Sequence, residues 1–242
     1  MTVWDAILWG TLTSASLYIG EAIAGPMSRN VRATALVMGF GAGTLISAVG
    51  YELIPESSLD QGLGIGIGFI LGALTYYVCD GIVDKSGGED RQDIAGGEEG
   101  GSGTAMFIGA LLDGLPEAFV LGISLALGGE ISVGFVGAVF VSNIPQGVAG
   151  TTSMKAAGYT ERHVFGMWTA LTVVSALAAA AGFLLADAVP DQGLWVEAFA
   201  GGAVLTMLAN SMMPEAYEHG GKTVGLMTVL GFLFAGVLTV VS

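Results

Sequence analysis

Two carboxylates four residues apart, Asp113 and Glu117, stand in the otherwise apolar stretch FIGALLDGLPEAFVLGISLAL. On a helix that spacing puts both on one face, one turn apart. A second stretch, VFVSNIPQGVAG, repeats the spacing with neutral oxygen-bearing groups: Ser142 and Gln146 are four apart and Asn143 adjoins Ser142. Each motif carries a proline, Pro116 or Pro145. Proline inside a helix removes one hydrogen bond and crowds the carbonyl of residue i−4, so the carbonyls near Leu112 and Val141 are expected to be freed. At membrane depth a freed carbonyl is tolerated only where protein, water or an ion takes it up, so such kinks tend to line cavities.

A carboxylate midway through a bilayer costs roughly 2.5–3.5 kcal/mol on insertion scales, and it therefore needs a partner or a purpose. No Lys, Arg or His falls at comparable depth in any apolar stretch. A bound divalent cation would satisfy both charges together with the neighbouring amide and hydroxyl oxygens. A proton relay, a pair of buried neutral acids and a purely structural kink are the competing readings. The candidate ion ligands are Asp113, Glu117, Ser142, Asn143 and Gln146, with the ion as substrate and no prosthetic group expected.

The elements that must position these groups follow from composition. The 242 residues are 53% hydrophobic and 12% charged, and mean hydropathy is positive, against about 25% charged residues in a soluble domain. Apolar runs of about 20 residues, each enough to cross a bilayer, recur with short polar breaks. Eight spans are expected, at about 4–25, 33–54, 61–83, 105–128, 131–150, 164–186, 194–213 and 222–241. The fold class is thus an all-α integral membrane protein forming a single transmembrane domain. The alternating segments of about ten residues that a transmembrane β-barrel requires do not appear.

The basic residues give an orientation. Arg29 and Arg32, Lys85 and Arg91, Lys155 and Arg162, and Lys222 fall in the first, third, fifth and seventh connections. Lys and Arg near membrane helices are retained on the cytoplasmic side, which puts both termini outside. The opening MTVWDAILWG lacks the basic residues of a secretory signal, so the first span is expected to remain in the mature chain. Residues 84–104, rich in Gly and carboxylates, read as a flexible acidic cytoplasmic loop. A net charge of −14 argues against nucleic acid as a partner and fits a high-salt habitat or metal capture in the loops. The single cysteine, Cys79, reads as a small packing residue.

Internal repeats point to two inverted halves. FGAGTLISAVGYELIPE at 40–56 lies over FAGGAVLTMLANSMMPE at 199–215 at a constant offset, with Phe40/Phe199, Gly43/Gly202, Pro55/Pro214 and Glu56/Glu215 identical. These spans run in opposite directions, as do the fourth and fifth. Glu56 and Glu215 read as polar helix ends able to guard an ion path, His163 and His219 as solvated boundary residues, and Asn210 and Ser211 as interhelical hydrogen-bonding groups.

With these motifs the chain resembles the ZIP family of zinc and iron transporters over essentially its whole length. That family carries His-Asn-x-Pro-Glu-Gly-like motifs in its fourth and fifth spans, and it has eight spans, both termini outside, and a long cytoplasmic loop after the third. The resemblance implies a ZIP-like bundle in the cytoplasmic membrane, often homodimeric, that transports divalent ions of the zinc, iron or manganese class. Asp113 stands where the family usually has His, and Gly114 where it often has Asn. Glu117 matches the shared glutamate and Asn143 the Asn or Asp position. Ser142 replaces His or Gln, and Gln146 replaces a glutamate that can bridge two metals. The sixth span lacks the family's Glu-Pro, and the loop lacks its histidines. An oxygen-only ligand set favours harder ions such as Mn²⁺, Fe²⁺ or Mg²⁺. A relative that binds metal without transporting it is the alternative. An intramembrane aspartyl protease using Asp80 and Asp113 is a weaker one, since Asp113 lacks the Gly-x-Gly-Asp context.

Overall fold

The computed structural model describes residues 1–54, 63–88, 92–95, 103–128, 132–188 and 194–241. Among them lie eight helices. These are α1 (Val3–Ser28), α2 (Val31–Ala48, extended by a π turn, Val49–Leu53), α3 (Leu63–Val83, with a π turn at Asp84–Gly88), α4 (Gly103–Gly128), α5 (Val133–Ala156), α6 (Glu161–Leu185), α7 (Leu194–Gly220) and α8 (Thr223–Val241). Helix α7 passes through a π turn at Leu208–Met212. Side-chain caps start three helices: Asn30 accepts from the Ala33 N–H, Ser132 from Phe135 and Thr160 from His163. Gly158 and Gly221 follow α5 and α7 at φ 89° and 64°, left-handed positions that suit glycine.

Seven helices, α2 to α8, are long and apolar enough to cross a membrane. The chain is a multi-pass membrane protein with an all-helical bundle. Helix α1 is equally long, but Asp5, Glu21 and the hydroxyls of Thr11, Thr13, Ser14 and Ser16 make it less apolar. Thr13, Ser14 and Ser16 are buried against other helices, so this polarity faces protein. Helices α4 and α5 run unbroken through Pro116 and Pro145. The interruptions occur instead as π turns in α2, α3 and α7, outside the Pro116 and Pro145 motifs. Pro55 and Glu56 lie outside the described residues.

Helix α5 packs mainly against α1 and α2, and α6 against α1 and α4, while α2 pairs with α8 and α3 with α7. Polar ties reinforce the centre: Asn143 Nδ2 donates to the Thr13 carbonyl at 3.1 Å, Thr44 Oγ1 to the Ala138 carbonyl at 3.2 Å, and Trp168 Nε1 to Thr151 Oγ1 at 3.0 Å. Four helix pairs close on glycines from both members. Gly20 meets Gly147 across α1 and α5. Gly43 lies on Thr228 and Phe232 while Gly231 lies on Phe40, joining α2 and α8. Gly202 lies on Phe69 and Ala73 while Gly72 lies on Phe199, joining α3 and α7. Gly122 lies on Ala179 and Gly182 on Phe119, joining α4 and α6. At each of these positions a Cβ would run into the facing backbone, and small residues there let two helices approach closely in lipid. Large apolar side chains of α3 and α8 point outward instead, including Ile70, Leu74, Leu226 and Val237.

Filling one such contact should force the pair apart. Gly202→Leu is expected to cost about 3 kcal/mol, while Gly225→Leu, where nothing lies within 4 Å of the added carbon, should be nearly neutral. Thermal unfolding of the purified variants in detergent, followed by tryptophan fluorescence, checks the contrast.

Candidate functional site

Asp113 and Glu117 are each 4% exposed, and they share a cavity of about 20 Å³. That space suits one water-sized species. Four helices and one connecting segment supply its polar wall: Asp113 and Glu117 from α4, Asn143 and Gln146 from α5, Thr13 and Ser14 from α1, Ser175 from α6, and Gln92 from the segment before α4. Leu17, Leu121, Phe135, Val139 and Trp168 complete it. No Lys, Arg or His lines it among the described residues, and the thioethers of Met106 and Met154 are its softest groups.

Helical periodicity brings the Asp113 and Glu117 carboxylates to one face of α4, and the neighbours then treat them differently. Tyr76 of α3 donates its hydroxyl to Asp113 Oδ1 at 2.5 Å, and Gln92 Nε2 donates to Oδ2 at 3.0 Å. Asp113 is therefore oriented by two neutral donors. Glu117 Oε1 is buried with no hydrogen-bond partner among the described residues. A buried acceptor left unmade costs about 1–3 kcal/mol, more when charged, and a cation in the cavity would remove that penalty. Asn143 spends its amide N–H on the Thr13 carbonyl, a bond that orients the rest of the amide.

A second, larger compartment lies at the end of the bundle where the basic residues gather. Its wall includes Asp80, Asp84, Lys85, Gln92, Asp93, Asn210, Ser211, Glu215, Glu218 and His219, and its volume is about 990 Å³. Gln92 belongs to both compartments. At the vestibule wall Asp93, Glu215 and His219 bring ligand-type atoms within 4.8 Å of one another, with His219 Nδ1 3.1 Å from Glu215 Oε1.

Of the five ligand candidates read from sequence, the cavity gathers Asp113, Glu117, Asn143 and Gln146. Ser142 is placed otherwise. Its hydroxyl is fully buried and donates to the Val139 carbonyl of its own helix at 3.0 Å, and its Cα and Cβ pack against Gly41 of α2. Ser142 faces α2, whereas Gln146, one turn on, lines the cavity. Three cavity or support groups carry no motif: Tyr76 and Thr13 fall within expected spans, and Gln92 within the acidic loop. His219, read as a solvated boundary residue, is partly buried beside Glu215 and Asp93. His163 stays at the surface, its ring 2.8 Å from the capping hydroxyl of Thr160. Asn210 and Ser211 line the vestibule.

No protein-family profile matches the chain. Over 191 residues it is 27% identical to a protein of Arabidopsis thaliana provisionally named a zinc transporter. The alignment covers 76% of this chain and 30% of that protein.

The Asn143 tie makes a direct prediction. Asn143→Ala should lower stability by about 0.5–1.5 kcal/mol, because a buried helix–helix hydrogen bond is lost while the Thr13 carbonyl still accepts from Ser16 Oγ. Thr13→Ala keeps the accepting backbone group and should cost less; denaturation of the two variants side by side tests the order.

Proposed function

We propose that this chain, which belongs to the ZIP family as a divergent member, carries divalent metal ions across the cytoplasmic membrane by way of the cavity between α4 and α5. The observation that carries the reading is the pair of buried carboxylates in a one-ion space without a basic residue on its wall. The zinc name of the Arabidopsis thaliana relative supports the ion class. Asp113, Glu117, Asn143 and Gln146 are the proposed ligands. Their oxygens favour Mn²⁺, Fe²⁺ or Mg²⁺ relative to a site built with imidazole. One ion per cavity is the expected load, since its volume matches a single water-sized species and Gln146 stands in for a bridging carboxylate.

In this reading the ion enters partly dehydrated and leaves toward the vestibule at the basic, cytoplasmic end, with both termini outside. Rocking of one helix group against another exposes the cavity to each side in turn. The arrangement of the helices supports two inverted halves, with α1, α2 and α3 matched to α6, α7 and α8 and α4 to α5. Under that exchange the α2–α8 pair becomes α7–α3, and the α1–α5 pair becomes α6–α4. The glycine contacts follow suit: the offset that aligns Phe40 with Phe199 also carries Gly43 onto Gly202, Gly72 onto Gly231, and Thr228 and Phe232 onto Phe69 and Ala73. Lipid covers the outward faces of α3 and α8, and a second copy is the partner that the family resemblance implies.

The protease reading is weaker. Asp80 lines the vestibule and Asp113 the inner cavity, so the two do not share one compartment.

Uptake of Mn²⁺, Fe²⁺ and Zn²⁺ into proteoliposomes tests the proposal. Glu117→Ala is expected to reduce flux by about tenfold or more, because one ligand oxygen pair is lost. Absence of divalent uptake by the wild type contradicts transport, and exclusive Zn²⁺ uptake contradicts the hard-ion preference. Covalent labelling of Ser28→Cys in a Cys79→Ala background, with a membrane-impermeant thiol reagent, should succeed only from the cytoplasmic side.

A further inference from the structure

Gln92 occupies an unusual position for a residue in a polar connection. It is 5% exposed, its Nε2 donates to Asp113 Oδ2 at 3.0 Å, and its Oε1 is buried with no partner among the described residues. The short segment that bears it is tied down after Gln92. The Ile94 N–H donates to Glu215 Oε1 at 2.9 Å, Ser153 Oγ donates to the Asp93 carbonyl at 3.1 Å, and the Ile94 side chain is fully buried. Three helices, α4, α5 and α7, thus fix residues 92–95 against the bundle.

An amide has a donor end and an acceptor end. Spending the donor on Asp113 fixes the amide plane and leaves the carbonyl oxygen as a second orphaned acceptor on a cavity that already contains Glu117 Oε1. Two buried oxygens without a protein donor thus belong to residues that wall one water-sized space, and a cation rewards acceptors that no protein donor satisfies. We propose that Gln92 is a further ion ligand, delivered to the α4–α5 site by residues 92–95. It rests on the transport reading above and adds to it a ligand from outside the two motif-bearing helices. Since Gln92 also walls the vestibule, its amide must move before a coordinated ion passes between the two compartments.

Mn²⁺ binding to the purified full chain, measured by isothermal titration for wild type, Gln92→Ala, Gln92→Glu and Glu117→Ala, tests this. Gln92→Ala is expected to weaken Mn²⁺ binding on the order of tenfold. Gln92→Glu keeps an oxygen in place and should bind within a fewfold of wild type or more tightly. Wild-type affinity in Gln92→Ala, alongside loss in Glu117→Ala, overturns the ligand role and leaves the transport site standing. Equal loss in Gln92→Ala and Gln92→Glu also overturns it, since it makes Gln92 a packing residue. A wild type that binds no Mn²⁺, Fe²⁺ or Zn²⁺ overturns the parent reading and this one together.

Discussion

The structure is organised around two carboxyl groups held where water is scarce. Asp113 and Glu117 sit on one face of α4, nine-tenths or more buried, and the cavity wall offers amides and hydroxyls but no basic side chain among the described residues. Such a pair is costly in isolation. The surrounding elements reduce that cost on one side only: Tyr76 and Gln92 donate to Asp113, while Glu117 keeps an oxygen without a partner. An asymmetry of this kind is what a site tuned to accept a cation requires, because full satisfaction by protein donors would remove the reason to bind.

The rest of the bundle serves to bring five chain segments to that point. Polar ties hold α5 to α1, α2 and α6, and glycine contacts set close helix approaches on either side. The close approaches matter because helices in lipid gain little from burying apolar surface and associate through packing and hydrogen bonds. The α2–α8 and α3–α7 glycine contacts coincide under the one sequence offset of 40–56 and 199–215, so the similar residues of the two segments seat the same kind of close helix approach.

Much of this was legible from residue order. Asp113 and Glu117 announced themselves by charge within apolar sequence, and Asn143 and Gln146 by their spacing around a proline, since helical periodicity converts spacing into a shared face. Ser142 shared that spacing yet packs against Gly41 of α2 with its hydroxyl on its own helix, a packing partner that periodicity does not reveal. Tyr76 and Gln92 were invisible for a different reason: their roles depend on which helix and which connecting segment pack beside α4, a tertiary fact with no local signature. The π turns in α2 and α7 likewise leave no trace in hydropathy. Helix α1, expected as a span over 4–25, carries buried hydroxyls that make it less apolar than α2 to α8.

The most direct test of a captured cation is anomalous X-ray scattering from crystals of the protein grown with Mn²⁺. The account predicts a single strong peak between α4 and α5, about 2–2.6 Å from oxygens of both Asp113 and Glu117. A cavity without anomalous density, in crystals whose peaks lie only among the acidic residues of the vestibule, would contradict it.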